Sequence, residues 1–302
     1  MKTLCNICPR NCNVDREKNL GVCRAGNKVV ISKVMLHYYE EPPISGIDTD
    51  NLKANGSGAI FFSNCNLKCI YCQNCEISSG GIGKEVSIET LANIFKQIEE
   101  SGANNINLVT PTHYTNQIIE ALNIFKPKIP IVWNTSGYEK AETIEKLKDY
   151  VDIFLTDFKC FDPNLSQKLS NAKNYPENCK QAIIQMRKNV PTDIFENGIM
   201  KKGIIIRHLV LPNQTEDSKN IISWIYDNLG NETYISLMSQ YVPMYKATEI
   251  SEMNRKIKPI EYKILITLLN KYNFKNVFLQ DYSSASNIYT PDFNIQTDDF
   301  KY

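Results

Sequence analysis

The stretch Ala59-Ile-Phe-Phe62-Ser-Asn-Cys65-Asn-Leu-Lys-Cys69-Ile-Tyr-Cys72 runs from a short apolar segment directly into three closely spaced cysteines. Residues 59–62 read as a buried β-strand, and the Cys65-x3-Cys69-x2-Cys72 run then falls on the loop that leaves it. In a barrel of parallel strands, loops at the C-terminal ends carry the reactive groups. Three thiolates packed so tightly on one loop can ligate three irons of a 4Fe–4S cluster and leave the fourth without a protein ligand. An iron left open in this way implies a bound reactant, whereas a zinc site would favour paired C-x2-C elements.

Further strand candidates follow at Ile106–Val109, Ile131–Asn134, Ile153–Phe158, Ile204–Val210, Tyr234–Met238 and Val277–Leu279, all rich in β-branched or aromatic residues. Helical patterns lie between them. Ser87 is placed to cap a helix that runs to about Ser101 and stops at Gly102, with Leu91, Ile94, Phe95 and Ile98 as its inner stripe. Other helices are expected at Gln117–Phe125, Ala141–Tyr150, Cys179–Lys188, Asp217–Asn228 and Glu261–Lys271. Regular β/α alternation predicts an α/β fold with a parallel sheet covered by helices. The count gives a partial (β/α)6-7 TIM-type barrel rather than a doubly wound sheet.

The 302 residues carry 34 Lys and Arg against 33 Asp and Glu, a net charge of +1. That balance argues against a nucleic-acid partner. With 42% hydrophobic residues and no bilayer-length apolar run, no membrane is expected either. The opening residues Met1–Cys5 lack the apolar stretch of a secretory signal, so a cytoplasmic location is expected. In a reducing compartment, ten cysteines read as metal ligands more readily than as disulfides. A second group, Cys5-x2-Cys8-x3-Cys12 with Cys23, sits in polar, turn-rich sequence. Four thiolates suit structural zinc or an auxiliary Fe–S cluster, and either would order a segment too poor in apolar residues to fold by burial. Three regions are expected: a Cys-rich extension over 1–54, the barrel over 55–280 and a C-terminal tail over 281–302. Because the barrel loop has its own cysteines, the extension is expected to be removable without loss of the barrel cluster.

The C-x3-C-x-aromatic-C run, with Tyr71 as the aromatic, resembles the signature of the radical S-adenosylmethionine (SAM) superfamily. The similarity extends through Asn6-Ile-Cys8-Pro9-Arg10-Asn-Cys12, His37, Glu40-Glu41-Pro42-Pro43-Ile44-Ser45-Gly46, Cys72-Gln73-Asn74 and Val109-Thr110-Pro111-Thr112-His113. It continues in Asn134-Thr135-Ser136-Gly137-Tyr138, Asp157-Phe158-Lys159 and Arg207-His208-Leu209-Val210-Leu211-Pro212. Together these resemble the branch grouped with pyruvate formate-lyase activating enzymes, over about the first four fifths of the chain.

The resemblance implies that Cys65, Cys69 and Cys72 hold a 4Fe–4S cluster and that SAM binds its open iron. Reductive cleavage of SAM then gives a 5′-deoxyadenosyl radical for hydrogen abstraction, with the cofactors carrying the difficult chemistry. The implied cofactor-binding residues are Tyr71, Thr110, His113, Asn134, Thr135, Asp157, Lys159, Arg207 and Gln240, and no catalytic side chain is implied beyond the cluster and SAM. Strand alternation puts Leu155, Asp157 and Lys159 on one face, and it sends Arg207 and His208 to opposite faces. Arg207 is expected inside, near the SAM carboxylate, and His208 against a helix. Asn134 stands where activating enzymes carry an Asp beside a bound monovalent cation, and Thr110-Pro111-Thr112-His113 replaces a Gly-Gly-Glu stretch that receives the SAM amino group. Thr110, Thr112 or backbone carbonyls are expected to accept instead, His113 either to contact SAM or substrate or to brace its loop, Cys75 to be a free thiol beside the site, and Met238 to belong to the core.

The expected activity is that of a glycyl radical enzyme activating-type protein. Radical modification of a small molecule or another peptide is the alternative, and a non-catalytic Fe–S electron-transfer or redox-sensing protein is the alternative of another class. The implied partners are an electron donor such as flavodoxin or ferredoxin and a protein substrate.

Overall fold

The computed structural model describes residues 4–46, 55–282, 291–293 and 299–302. Seven parallel strands stand side by side in chain order: β2 (Ser57–Phe62), β4 (Ile106–Val109), β5 (Ile131–Thr135), β6 (Ile153–Asp157), β8 (Ile199–Leu209), β9 (Tyr234–Met238) and β10 (Val277–Leu279). Sequential order without a switch is barrel topology, and β10 does not pair back to the other edge, so the barrel is partial. Two strands that the sequence reading passed over extend the opposite edge. β1 (Val29–His37) pairs antiparallel with β2, and β3 (Lys84–Val86) pairs antiparallel with β1. A short hairpin strand, β7 (Ile194–Glu196), lies against β8.

β1 belongs to the span expected as an extension, so the sheet begins well before residue 55. Its register shifts between Ile31 and Lys33, and the bulge breaks the alternation by which a strand is recognised. The expected tail packs as well: Phe293 sits against Phe61 and Ile77, Phe300 enters the main core, and the Asp292 carbonyl accepts from Lys33 Nζ at 2.7 Å.

Helices cover the outer face: α3 (Ile88–Glu100), α4 (Thr115–Ile124), α5 (Ala141–Glu145), α6 (Pro163–Ser170), α7 (Tyr175–Asn189), α8 (Thr215–Leu229) and α9 (Pro259–Lys271). Ser87 Oγ caps α3 by accepting from Thr90 N, and Leu91, Ile94, Phe95 and Ile98 are buried beneath it. Outward residues such as Ile60, Leu108, Trp133, Phe154 and Ile206 meet these helices. Inward residues Val132, Ile153, Leu155 and Ile205 form a separate cluster inside the barrel, completed by Ile44. Ile44 arrives on α1 (Pro42–Ser45), a single turn that plugs the barrel floor, where Asn105 Nδ2 donates to its carbonyl at 2.8 Å.

The start of α9 offers a stability test. Glu261 accepts from Lys258 N–H at 2.6 Å, from Asn213 N–H at 2.7 Å and from both Arg255 Nη atoms at 2.8 Å. These Arg255 bonds hold its carboxyl down from 4.5 to about 2. A depressed carboxylate stabilises the fold above its unfolded value, so the contribution is complete above pH 4.5 and fades as pH falls through about 2. Glu261→Gln is expected to cost about 2 kcal/mol in urea unfolding at neutral pH and to lose that acid dependence. An unchanged midpoint would contradict the cap.

Candidate functional site

The loop after β2 carries Cys65, Cys69 and Cys72 at one wall of a cavity of about 190 Å³ at the C-terminal ends of the strands. Tyr71, Thr110, Asn134, Thr135, Asp157, Lys159, Arg207 and Gln240 also line it, so all but one of the expected contact residues meet there. An adjoining hollow of about 100 Å³ shares Asn74, Asn134, Arg207 and Gln240, and reaches His37, Tyr39 and Pro291. Met238, expected in the core, is buried but borders the main cavity as well.

His113 is the exception. It is buried away from the cavity, where its Nε2 lies 2.8 Å from the Ser63 carbonyl and its ring packs on Tyr114 with centroids 4.2 Å apart. Burial pushes it down to about 3, so it stays neutral and braces the loop after β2. Thr112 likewise turns outward from the cavity and donates to Glu139 Oε1 at 2.6 Å. The same oxygen accepts from Thr135 Oγ1 at 2.6 Å and from Trp133 Nε1 at 3.1 Å, which fixes the ends of β4 and β5 from behind.

Each loop thiol has a neighbouring donor. Leu67 N–H reaches Cys65 Sγ at 3.4 Å, while Ser170 Oγ lies 3.1 Å from Cys69 Sγ and Ser78 Oγ 3.2 Å from Cys72 Sγ. Once a sulfur is a thiolate it can only accept, so these groups become donors that stabilise a metal-bound form. Without metal, burial pushes Cys65 up to about 12 and Cys72 up to about 11, so cluster assembly has to displace protons. Cys75 begins a short turn, α2 (Cys75–Ser78), and does not border the cavity.

Below the thiols lies a layer of paired charges. Arg207 Nε donates to Asp157 Oδ1 at 2.9 Å, Nη1 to Glu40 Oε2 at 3.0 Å and Nη2 to Asn134 Oδ1 at 2.6 Å. Lys159 Nζ holds the second Asp157 oxygen at 2.5 Å. Asn134 and Asn107 each donate to Glu40 Oε1 at 3.0 Å. Burial works to raise Asp157, but the Arg207 and Lys159 charges outweigh it and hold its carboxyl below the usual range. Burial raises Glu41, against the lowering effect of the nearby Arg207 charge.

Arg207 faces the cavity, as alternation predicts, and three of its five N–H groups serve protein acceptors, so it also organises the layer. Asn134, where an Asp was expected in relatives, is the neutral bridge between Arg207 and Glu40. His208 points outward as alternation requires, with Nε2 2.8 Å from Ser218 Oγ on α8 and Nδ1 2.7 Å from the Phe158 carbonyl.

Thr110 borders the cavity with φ of +60°, the left-handed region that β-branched residues avoid. Such strain costs about 1–3 kcal/mol and collects at functional sites. Thr110→Gly is expected to raise stability by up to about 1 kcal/mol after the entropic penalty of Gly. A destabilised variant would show that the Thr110 side chain contributes more than its backbone costs.

Sequence reasoning assigned no role to Glu40, Asn66, Lys68 or Glu139. Asn66 is fully buried, donates to the Tyr138 carbonyl at 2.8 Å and lies 3.9 Å from Cys65 Sγ. The Lys68 ammonium is buried with no hydrogen-bond partner, close to both Cys65 and Cys23. An orphaned cation beside thiols fits a site built for an anionic group. Among the described residues no three His, Cys, Asp or Glu side chains converge on one ion position. By donor type the four N-terminal thiols suit structural zinc and an auxiliary cluster alike.

The Radical SAM superfamily model matches residues 59–225, more than half of the chain and the whole span from β2 through most of α8. The chain belongs to the radical SAM superfamily. The uncharacterized protein MJ0674 of Methanocaldococcus jannaschii is 31% identical over 284 residues, covering 91% of this chain and 76% of that protein. The pyruvate formate-lyase-activating enzyme of Clostridium pasteurianum is 26% identical over 214 residues, covering 67% of this chain and 82% of that enzyme. The crystal structure of Streptococcus suis SuiB bound to S-adenosylmethionine has a TM-score of 0.49 and 15% identity, covering 72% of this chain. The present chain spans 48% of SuiB, about half its length. No helix among the described residues of this radical SAM protein is long and apolar enough to cross a membrane.

Proposed function

We propose that this chain is a radical SAM oxidoreductase that cleaves SAM reductively and activates a glycyl radical protein by hydrogen abstraction from a backbone glycine. The observation that carries the first part is the C-x3-C-x2-C loop at the end of β2, whose three thiols face the cavity at the strand ends while Cys75 stands outside it. When bound, a 4Fe–4S cluster and SAM would supply the reductive cleavage and the 5′-deoxyadenosyl radical.

The chain's own contribution is holding and shielding. Cys65, Cys69 and Cys72 would hold three irons, and the Leu67 amide and the Ser78 and Ser170 hydroxyls would donate to their sulfurs. Asp157, Lys159 and Asn134 form the polar wall that would orient the amino-acid end of SAM. Leu67, Ile77, Val109, Leu209 and Met238 line the rest of the cavity and keep water from a radical. Sequence similarity to the Clostridium pasteurianum activating enzyme supports the glycyl substrate.

The test is to mix the reduced, reconstituted chain and SAM with a glycyl radical protein under anaerobic conditions and record the EPR spectrum. A glycyl doublet dependent on Cys69 is expected. Deoxyadenosine formation without any protein radical would instead favour a small molecule or another peptide as substrate.

A further inference from the structure

We propose that Cys5, Cys8, Cys12 and Cys23 hold a second iron–sulfur cluster, and that it passes electrons to the β2-loop cluster across the Asn66 side chain. The inference rests on the β2 loop being a cluster site, and its test separates the two.

The four thiols form one group. The position a Cβ would take on Gly21 lies 3.4 Å from Cys23 Sγ and 3.5 Å from Cys12 Sγ, so this glycine leaves the room between two sulfurs. Cys8 and Cys23 interact electrostatically, and Cys5 and Cys12 lie near Cys23. Two of the sulfurs have amide donors of the kind seen on the β2 loop: Val22 N–H reaches Cys12 Sγ at 3.3 Å and Ala25 N–H reaches Cys23 Sγ at 3.5 Å. Four thiolates suit a cubane with one thiolate per iron, and the iron and zinc measurement below distinguishes it from a single zinc on the same sulfurs.

The segment is not a detached module. Arg10 Nε donates to the Asn66 carbonyl at 2.8 Å and Nη1 to the Asn171 carbonyl at 2.5 Å, while Arg24 Nη1 donates to the Ser79 carbonyl at 2.6 Å. Thr143 Oγ1 donates to the Ile7 carbonyl at 2.6 Å. These contacts lay the segment over the cluster loop. At the junction Asn66 Oδ1 lies 3.9 Å from Cys65 Sγ, and Asn66 also neighbours Cys8. This one residue thus stands between a thiol of each set. The orphaned Lys68 ammonium lies near Cys65 and Cys23, where two anionic clusters would compensate it. On the far side, Cys5 borders a polar surface hollow of about 420 Å³, which gives electrons an entry side.

The redox step balances as a single electron transfer. The reduced N-terminal cluster is oxidised by one electron, the loop cluster is reduced by one, and no covalent bond changes. A low-potential donor, a reduced flavin or iron–sulfur protein, restores the first cluster.

Full-length wild type, the Cys65→Ala/Cys69→Ala/Cys72→Ala triple variant and the Cys8→Ala/Cys12→Ala double variant would be reconstituted anaerobically with iron and sulfide. Iron, zinc and dithionite-reduced EPR spectra would then be measured. About eight irons are expected in wild type and about four in each variant, with no zinc. The wild-type spectrum is expected to show spin–spin interaction and not the sum of the two variant spectra. About four irons in wild type, or zinc in the triple variant, overturns the second cluster. A wild-type spectrum without spin–spin splitting overturns the relay, a reading of the wild type alone that holds even if a variant fails to fold. Eight irons without SAM cleavage would leave the second cluster standing and remove the proposed activity.

Discussion

Replacing Cys69 with Ala is expected to lower bound iron by about four per chain and to abolish SAM cleavage, because a site with three protein ligands has none to spare. Cys65→Ala and Cys72→Ala should behave alike, since all three thiols border one cavity and each has its own donor. Cys75→Ala is the internal control. Its side chain does not border the cavity, so iron and cleavage should both survive. Loss of the cluster in Cys75→Ala with retention in Cys65→Ala would reverse the ligand assignment.

Arg207→Met is expected to destabilise the fold by about 3–5 kcal/mol, measured by chemical denaturation of the protein before reconstitution. Arg207 is the shared partner of Asp157 and Glu40 inside the barrel, with its side chain only 14% exposed. Removing it leaves Glu40 without a cation and Asp157 with Lys159 alone in a poorly solvated layer, and breaking a buried pair from one side costs much more than the pair's net contribution. Adding Glu40→Gln removes the stranded charge, so the double variant should recover part of the loss. Arg207→Lys should not rescue fully, because a single ammonium cannot reach Asp157, Glu40 and Asn134 together as the planar guanidinium does. An unchanged denaturation midpoint in Arg207→Met would return Arg207 to the role of a free receptor for the SAM carboxylate.

The parallel strands were legible because Ile106–Val109, Tyr234–Met238 and Val277–Leu279 are short apolar runs with few competing assignments, and their bounds in the structure are those expected. Alternation also gave the opposed directions of Arg207 and His208, a local property of any strand. β1 was hidden by its bulge, and α5 ends at Glu145 instead of Tyr150 because the helical pattern continues past the point where the chain turns into β6. The partners of Arg207 were harder still. Glu40 lies 167 positions away in the chain and reaches the layer only because α1 folds up into the barrel floor. His113 shows the opposite error: a His at a strand end suggests a ligand, yet only the tertiary contacts with Ser63 and Tyr114 reveal that it faces away from the cavity. Asn66 and Lys68 carry no pattern of their own, since their meaning depends on the N-terminal cysteines lying against the β2 loop.

The most direct test of the central claim is anaerobic quantification of 5′-deoxyadenosine from SAM by the reconstituted, reduced chain, with Cys65→Ala and Cys75→Ala run alongside. Formation of 5′-deoxyadenosine by wild type and Cys75→Ala but not by Cys65→Ala is the predicted result. Intact SAM in a sample whose β2-loop cluster is present and reduced would contradict the assignment of this cavity to radical chemistry.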